Sequence, residues 1–162
     1  MVRQRFDASD VRAMVRDLRS RLLGMRVSNI YDVNAKTYLL KLAEPGRDRE
    51  VLLLESGSRF HSTRFELDKS AMPSGFAMKL RKHLRTKRLE DLRQLGTDRV
   101  VVFTFGIGES TNCLILELYA QGNIVLTAPD FTILALLRVH DYAGGAAARV
   151  GSVYPLAAAT TT

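Results

Sequence analysis

The stretch that decides the fold is residues 100–127, which read VVVFTFGIGESTNCLILELYAQGNIVLT. It contains three short apolar runs, at 100–105, 113–119 and 124–127. Glycines stand in both gaps, and short apolar runs bounded by turn residues are typical of strands. The gaps are too short for the crossover of a dozen or more residues that joins parallel strands. The stretch therefore predicts an antiparallel meander.

The same pattern of apolar runs and turn residues extends outward from this stretch. It predicts further strands at 27–32, 38–42, 51–55, 89–95 and 131–139. Residues 57–74 lack a clear period and are predicted to be irregular, leading through Met72, Pro73 and Ser74 into a helix.

Two segments instead have apolar residues at helical spacing. The first is 10–23, with the apolar residues Val11, Met14, Val15, Leu18 and Leu22 and with Gly24 as its stop. The second is 75–86, with the apolar residues Phe76, Leu80 and Leu84 and with Ser74 as its cap. The predicted fold class is α+β, a mainly antiparallel β-sandwich flanked by two α-helices.

Length and composition place the chain among globular domains. It has 162 residues, of which 46% are hydrophobic and 25% charged, enough for one core. No apolar run approaches the roughly 20 residues of a membrane helix, and the amino terminus has no signal-like apolar region. We expect no membrane association and a location in the cytoplasm or nucleus.

Residues 1–142 are predicted to be the domain. Residues 143–162, rich in Ala, Gly and Thr, are predicted to be a linker or truncated boundary that adds little core.

The positive charge is concentrated in two segments. Of the formal charge of +7, residues 1–26 carry +4 and residues 79–99 carry +5, so the rest of the chain is net negative. Eighteen of the 24 basic residues are arginines, whose planar forks suit phosphate. Such clustering predicts a phosphate-facing surface, and solvated helix faces are the alternative. The phosphate candidates are Arg12, Arg16, Lys79, Lys82, Arg85 and Arg88.

Motifs for catalysis are lacking. The single cysteine, Cys113, lies in an apolar run and is interpreted as a buried structural thiol. The three histidines, His61, His83 and His140, have no metal-ligand spacing, and His83 is interpreted as a packed residue at the edge of the core. The glycines at 106 and 108 are followed by no GKS/T and predict a turn. We therefore expect no enzyme activity, no metal and no cofactor.

Six strings, in order over most of residues 3–139, resemble a known family. They are QRFDASDVRAMVRDL, LLGMRVSNIYDVNAKTYLLKL, LLLESGSRFHST, MPSGFAMKLRKHLRTKRL, QLGTDRVVVFTFG and ILELYAQGNIVLT. Together they resemble the N-terminal NFACT domain of NEMF-type eukaryotic ribosome quality-control proteins. The bacterial relative is RqcH, and the wider family includes fibronectin-binding proteins.

This resemblance implies a function on the ribosome. The family binds the large ribosomal subunit carrying an obstructed peptidyl-tRNA, recruits charged tRNA and supports mRNA-independent C-terminal tailing, with alanine and threonine in fungi. It also stabilises binding of the ubiquitin ligase listerin. The family residues needed for tail elongation match Asp10 and the pair Asp98-Arg99.

The residues also have structural interpretations of their own. At the start of a helix Asp10 can accept backbone N–H bonds, and Asp98 lies in a Gly-Thr-Asp turn where aspartate is common. Arg99 follows an acid at the start of a strand, so the pair can aim the guanidinium at a phosphate or a base edge. We therefore expect Asp98 and Arg99 to contact tRNA.

Two other functions stay open at this point. The resemblance extends in fold to the N-terminal domain of formamidopyrimidine-DNA glycosylases, whose catalytic proline and glutamate follow the initiator methionine. Val2 and Arg3 occupy those positions here, and neither can do that chemistry, which disfavours a DNA-lesion glycosylase. The third possibility is a domain that only docks on acidic protein partners.

Overall fold

Two helices and two main antiparallel sheets make up the computed structural model, which describes residues 5–63, 72–96, 98–119, 121–141 and 147–156. The helices are α1 (Ala8–Leu22) and α2 (Gly75–Leu84). The first sheet contains β1 (Arg26–Asp32), β2 (Thr37–Ala43), β3 (Glu50–Glu55) and β4 (Arg59–Thr63). The second contains β5 (Leu89–Gln94), β6 (Val100–Phe105), β7 (Asn112–Glu117), β8 (Asn123–Thr127) and β9 (Ile133–Leu136). A short pair follows, β10 (His140–Asp141) and β11 (Ala147–Ala148).

In both main sheets the spatial order of the strands equals their order in the chain. Each strand pairs antiparallel with the next, as in Val102 opposite Ile115 and Leu114 opposite Leu126. The predicted α+β class with mainly antiparallel sheets is confirmed.

The second sheet is buried on both faces. Val101 and Phe103 belong to the main core, which the helices and the first sheet share. Val100 and Val102 point to the opposite face, where they join a second apolar cluster that includes Tyr154. A strand covered on both sides shows a continuous apolar run instead of alternation, which is the pattern of residues 100–105.

Helix α1 begins at a reciprocal capping box. The Asp7 carboxylate accepts the Asp10 N–H at 2.8 Å, and the Asp10 carboxylate accepts the Asp7 N–H at 3.0 Å. The cap is thus Asp7, with Asp10 three residues later. Helix α1 contacts β4 and β5 and ends before Gly24, whose φ of +89° is the left-handed conformation that glycine favours.

Helix α2 begins, as predicted, at Ser74, whose hydroxyl accepts the Ala77 N–H at 3.1 Å. Leu80 and Leu84 are fully buried, and the helix contacts β1 and β9. It ends two residues earlier than predicted, because Thr86 has a φ of +74° and starts the turn into β5.

The prediction of an irregular segment at 57–74 is wrong for β4. In its antiparallel pairing with β3, Thr63 lies opposite Val51 and Arg59 lies opposite Glu55. Its side chains show little hydrophobic periodicity, since Phe60 is its only buried residue. Pairing with a strong neighbour, and not its own pattern, therefore stabilises β4.

The two sheets touch where the β3–β4 turn meets the β7–β8 turn. The Gly57 N–H donates to the Glu117 carbonyl at 3.0 Å, and Gly122 has a φ of +74°. A Cβ added at Gly122 would overlap the backbone nitrogen and Cα of Gly57. Only glycine at position 122 allows this close backbone approach.

The tail contributes to the core, against expectation. Tyr154 is 2% exposed, and its hydroxyl donates to the buried Glu117 carboxylate at 2.5 Å. Ala148 is fully buried in the same cluster. The prediction that residues after 142 add little core is therefore wrong for residues 147–156. Residues 143–146 and 157–162 lie outside the described part, and the domain boundary at 142 stays a prediction.

Candidate nucleic-acid interface

The start of α1 and the turn between β5 and β6 meet at one end of the molecule. The Gln94 side-chain amide donates to the Asp98 carbonyl at 2.6 Å and to the Ala8 carbonyl at 3.3 Å, so it links the two segments. Beside this link is a hollow of about 310 Å³, lined by Ala8, Ser9, Arg12, Gln94 and Gly96. The three residues that the resemblance indicated, Asp10, Asp98 and Arg99, lie on the two segments that Gln94 joins.

The carboxylate of Asp98 fixes the backbone at the end of the turn between β5 and β6. It accepts the Arg99 N–H at 2.7 Å, while the Asp98 N–H donates to the Leu95 carbonyl at 3.1 Å. The structure shows no ion pair between the Asp98 and Arg99 side chains, both of which it describes. The proposed aiming of the guanidinium by its neighbour is therefore not seen.

Arg99 has an anchored backbone and a half-exposed side chain. Its carbonyl accepts the Leu118 N–H at 2.9 Å, which places it at the start of β6. Its guanidinium bonds to no other described residue. A fixed backbone with a guanidinium whose N–H groups are available suits a phosphate or a base edge.

Arginines continue from the hollow along the exposed side of α1. Arg12 and Arg16 are exposed and make no ion pair or hydrogen bond within the described ranges through their side chains. Arg19 differs, because its guanidinium donates to the Asp91 carboxylate at 2.5 Å and to the Leu92 carbonyl at 2.7 Å. Arg19 therefore holds α1 on β5, whereas Arg12 and Arg16 are available to a ligand.

The Arg19 contact changes the acidity of Asp91. Burial by itself would raise the pKa of Asp91, but two hydrogen bonds, from the Arg19 guanidinium and the Leu92 N–H, oppose it. The positive charges of Arg19 and Arg93 act in the same direction. The net result is a pKa below the ordinary value of an aspartate.

The phosphate candidates on and after α2 differ in how far they are already engaged. Lys79 and Lys82 are exposed, with no side-chain partner among the described residues. Arg85 donates to the Asn29 side chain at 2.9 Å. Arg88 donates to the Gly24 carbonyl at 2.9 Å and lies 3.6 Å from Glu44, so part of its fork supports the fold.

The basic segment 79–99 is continuous in sequence but divided in space. Helix α2 lies on β1 and β9, whereas Asp98 and Arg99 lie beside α1, which covers β4 and β5. The candidate interface consists of the hollow, its turn and the exposed arginines of α1. The α2 cations form a separate surface. Gln94 is the site residue that the sequence reasoning missed, and a glutamine at a strand end carries no signal of such a link.

Cys113 and His83, the side chains considered for catalysis, are packed against the fold. Cys113 is 4% exposed, and burial raises the pKa of its thiol. His83 is half-buried, and burial, followed by the charges of Lys82 and Lys87, lowers its pKa.

Within the described ranges no group of three or more His, Cys, Asp or Glu could hold a metal ion. In that same part of the chain no helix has the length and apolar character needed to cross a membrane.

Comparison with known proteins decides the family. The family model described as NFACT N-terminal and middle domains matches residues 7–143. The chain belongs to the NFACT family. This NFACT chain is 50% identical over 156 residues to the ribosome quality control complex subunit NEMF of Homo sapiens. It is 41% identical over 161 residues to the ribosome quality control complex subunit 2 of Schizosaccharomyces pombe.

The NFACT chain spans only a small part of these relatives. It is covered to 96% in both comparisons, which include 14% of the human protein and 16% of the yeast protein. Among solved structures, it matches the N-terminal domain of the fibronectin-binding protein PavA from Streptococcus pneumoniae with a TM-score of 0.80 and 26% identity. That match covers 92% of this chain and 63% of the other. The N-terminal part of the Streptococcus suis fibronectin/fibrinogen-binding protein gives a TM-score of 0.81 at 25% identity. The similarity to glycosylase domains stays a prediction.

Proposed function

We propose that this NFACT chain is the tRNA- and ribosome-binding module of a ribosome-associated quality-control factor. In this role it binds the large ribosomal subunit carrying an obstructed peptidyl-tRNA and recruits charged tRNA. It thereby supports mRNA-independent C-terminal tailing with alanine and threonine. The identity of 50% and 41% to two ribosome quality control complex subunits supports this role.

The observation that carries the proposal is the meeting of two distant segments at the hollow. Gln94 joins the β5–β6 turn, with Asp98 and Arg99, to the start of α1, with Asp10. Exposed arginines on α1 add positive charge next to them. A fixed backbone, an available guanidinium and neighbouring cations are the features by which proteins hold RNA backbone and read unstacked bases.

The proposed role is binding and positioning rather than catalysis. The module acts in the cytoplasm, with the nucleus as a second location, and needs no metal or cofactor. Association with a listerin-type ubiquitin ligase is proposed to occur through the full-length protein. The α2 cations Lys79, Lys82 and Arg85, with Arg88, are proposed as weaker phosphate contacts.

The test is tail synthesis by the full-length protein carrying Asp98→Ala and Arg99→Ala together. We expect tailing to be lost and tRNA binding to weaken by about tenfold or more, as for removal of one charged phosphate or base contact. The matched control is Lys36→Ala with Glu109→Ala, which also removes one charge of each sign from exposed positions.

A second pair of variants separates an effect on folding from the loss of a contact with tRNA. Asp98→Asn keeps an oxygen that accepts the Arg99 N–H, and Arg99→Lys keeps the charge but not the planar fork. We expect both proteins to fold, with tailing impaired by Arg99→Lys. Normal tailing in the Asp98→Ala, Arg99→Ala protein would exclude this site.

A further inference from the structure

A second basic depression lies away from the hollow, where β1 begins. It consists of two adjoining hollows of about 470 and 260 Å³. Both are lined by Arg26 and Thr86, so these two residues border both hollows. We call the two together the Arg26 groove. None of its lining residues lines the hollow beside α1.

Cations outnumber carboxylates in the Arg26 groove. The five basic lining residues are Arg26, Arg47, Arg49, Lys87 and Arg88. The two acidic lining residues are Glu44 and Glu90. Three of the cations lie in stretches that charge counting along the sequence did not connect, because Arg47 and Arg49 are in the β2–β3 turn and Arg26 precedes them by 21 and 23 residues.

The fold places two of these arginines directly opposite each other. Arg26 and Arg88 form an antiparallel backbone bridge, which sets their side chains on the same side. Like charges directly opposite on paired strands destabilise the fold. The nearby carboxylate of Glu44 accepts from Arg47 at 2.8 Å and lies 3.6 Å from Arg88, while none in the described part of the chain pairs with Arg26. An anion between the two arginines would relieve this repulsion.

Donors remain available for such an anion. Arg26 donates one N–H to the Thr86 carbonyl at 2.9 Å, which orients its guanidinium and leaves the other N–H groups of the fork. Arg49 is exposed and bonds to no other described side chain. Thr86 has a φ of +74°, a conformation that β-branched residues rarely adopt, and its N–H donates to the Val27 carbonyl at 2.8 Å.

We propose that the Arg26 groove binds successive backbone phosphates of an RNA, one in each hollow. Two hollows that share Arg26 match a chain of regularly repeated anions better than a single free ion. An acidic peptide would have to immobilise flexible side chains, whereas the phosphates of RNA are part of its backbone. The proposal rests on the proposed function for the identity of the polyanion, but it concerns a surface other than the hollow beside α1 and shares only Arg88 with the residues proposed above.

The test is binding of purified tRNA to the whole chain carrying Arg26→Gln and Arg49→Gln, measured over a range of salt concentrations. We expect about tenfold weaker binding at moderate salt and a salt slope reduced by about two, because each lost phosphate contact lowers the slope by nearly one. Lys36→Gln with Arg149→Gln is the control, since it removes the same charge from exposed positions outside both hollows. It should change binding less than twofold.

Parallel measurements separate this inference from the proposed function. If Arg12→Gln with Arg16→Gln weakens tRNA binding while the groove variant binds like the control, the groove proposal is wrong and the proposed interface stands. The opposite result supports the groove and contradicts the interface beside α1. Absence of tRNA binding by the unmodified chain contradicts both.

The kind of anion is tested by competition. Inorganic phosphate and polyglutamate are each added to the complex of tRNA with the chain, and we expect neither to displace tRNA at concentrations matched in charge. Displacement by polyglutamate that the groove variant abolishes would assign the groove to an acidic protein and overturn the proposal. The single variant Arg49→Gln breaks no contact with a described residue, so we expect it to fold normally. It should still weaken tRNA binding.

Discussion

At the scale of single residues, Asp98 uses its carboxylate to fix the backbone at the start of β6. The bond to the Arg99 N–H and the bond from Gln94 to the Asp98 carbonyl hold the turn from two sides. The position of the Arg99 backbone is thus fixed by hydrogen bonds rather than by an ion pair with Asp98. The sequence singled out both residues through a family resemblance. It could not show that the Asp98 carboxylate bonds to the backbone while the Arg99 guanidinium bonds to no other described residue.

This arrangement makes a prediction about stability. Asp98→Ala should lower the free energy of unfolding by about 1 kcal/mol, because one hydrogen bond to a charged acceptor is lost in a half-exposed turn. Asp98→Asn should cost less than half of that, since its amide oxygen can accept the same N–H. Urea unfolding of the two variants measures the difference. Equal losses would show that the charge, and not the hydrogen bond, stabilises the turn.

A second prediction at this scale concerns pH. The pKa of Asp91 is lowered in the folded state, so its contact with Arg19 stabilises the fold above the unfolded aspartate pKa of about 3.9. That contribution is lost as the pH falls through the lower folded pKa. Arg19→Gln should therefore reduce stability at pH 7 by at most about 1 kcal/mol, given an exposed pair.

The measurement is the free energy of unfolding between pH 7 and pH 2. The difference between Arg19→Gln and the unmodified chain should shrink below pH 4. Arg16→Gln, at an exposed position without a partner in the described ranges, is the control and should show no such trend. A difference that stays constant with pH would assign the effect to the Leu92 carbonyl alone.

At the scale of elements, most of the fold was predictable because local signals agree. Helical spacing and the Ser74 cap defined α2, and apolar runs between glycines defined the strands of the second sheet. Strand β4 was missed because only Phe60 of its five residues is buried. Its pairing with β3 is a tertiary effect that no local pattern records. The meeting of α1 with the β5–β6 turn was equally hidden, since Gln94 and Ala8 are 86 residues apart.

The contact between the two sheets gives an element-scale prediction. Gly122→Ala should destabilise the chain by at least about 3 kcal/mol, because the added Cβ meets Gly57 backbone and the left-handed conformation also disfavours alanine. Gly46→Ala is the matched control. Its φ of +82° is similar, but a Cβ there meets nothing within 4 Å, so it should cost only about 1–2 kcal/mol.

Guanidinium unfolding of the two variants checks this difference. Similar losses at the two positions would mean that the turns can move apart, and that backbone conformation alone requires glycine at 122.

At the scale of the whole molecule, the charge of +7 is distributed over separate surfaces. The arginines of α1 lie over β4 and β5, the cations of α2 lie on a helix that packs on β1 and β9, and the Arg26 groove adds Arg47 and Arg49 of the β2–β3 turn to Arg88, which follows α2. Counting charge along the chain found the first two but underestimated the third, which forms only when the β2–β3 turn meets the start of β1. A module with several such surfaces can contact an RNA at more than one point.

The tail gives a prediction at the same scale. Tyr154→Ala should lower the free energy of unfolding by about 3–5 kcal/mol, the cost of removing a large buried aromatic side chain. Tyr154→Phe should cost about 1.5–3 kcal/mol through the lost bond to the Glu117 carboxylate. The neighbouring Val153, 60% exposed, is the control, and Val153→Ala should change stability by less than about 0.5 kcal/mol.

Thermal and guanidinium unfolding provide the comparison. If Tyr154→Ala were as stable as Val153→Ala, residues 147–156 would behave as the linker that the sequence predicted.

The hairpin order of both sheets also bears on how the chain folds during synthesis. Because consecutive strands are paired within each main sheet, each new strand of a sheet after the first finds its partner already made, and few long loops have to close. Helix α1 is the exception. It precedes all the strands, and its contact with β5 through Arg19 and Asp91 joins residues 72 positions apart. Its contact with β4 can form earlier, so during synthesis α1 is expected to pack on the first sheet before β5 completes its docking.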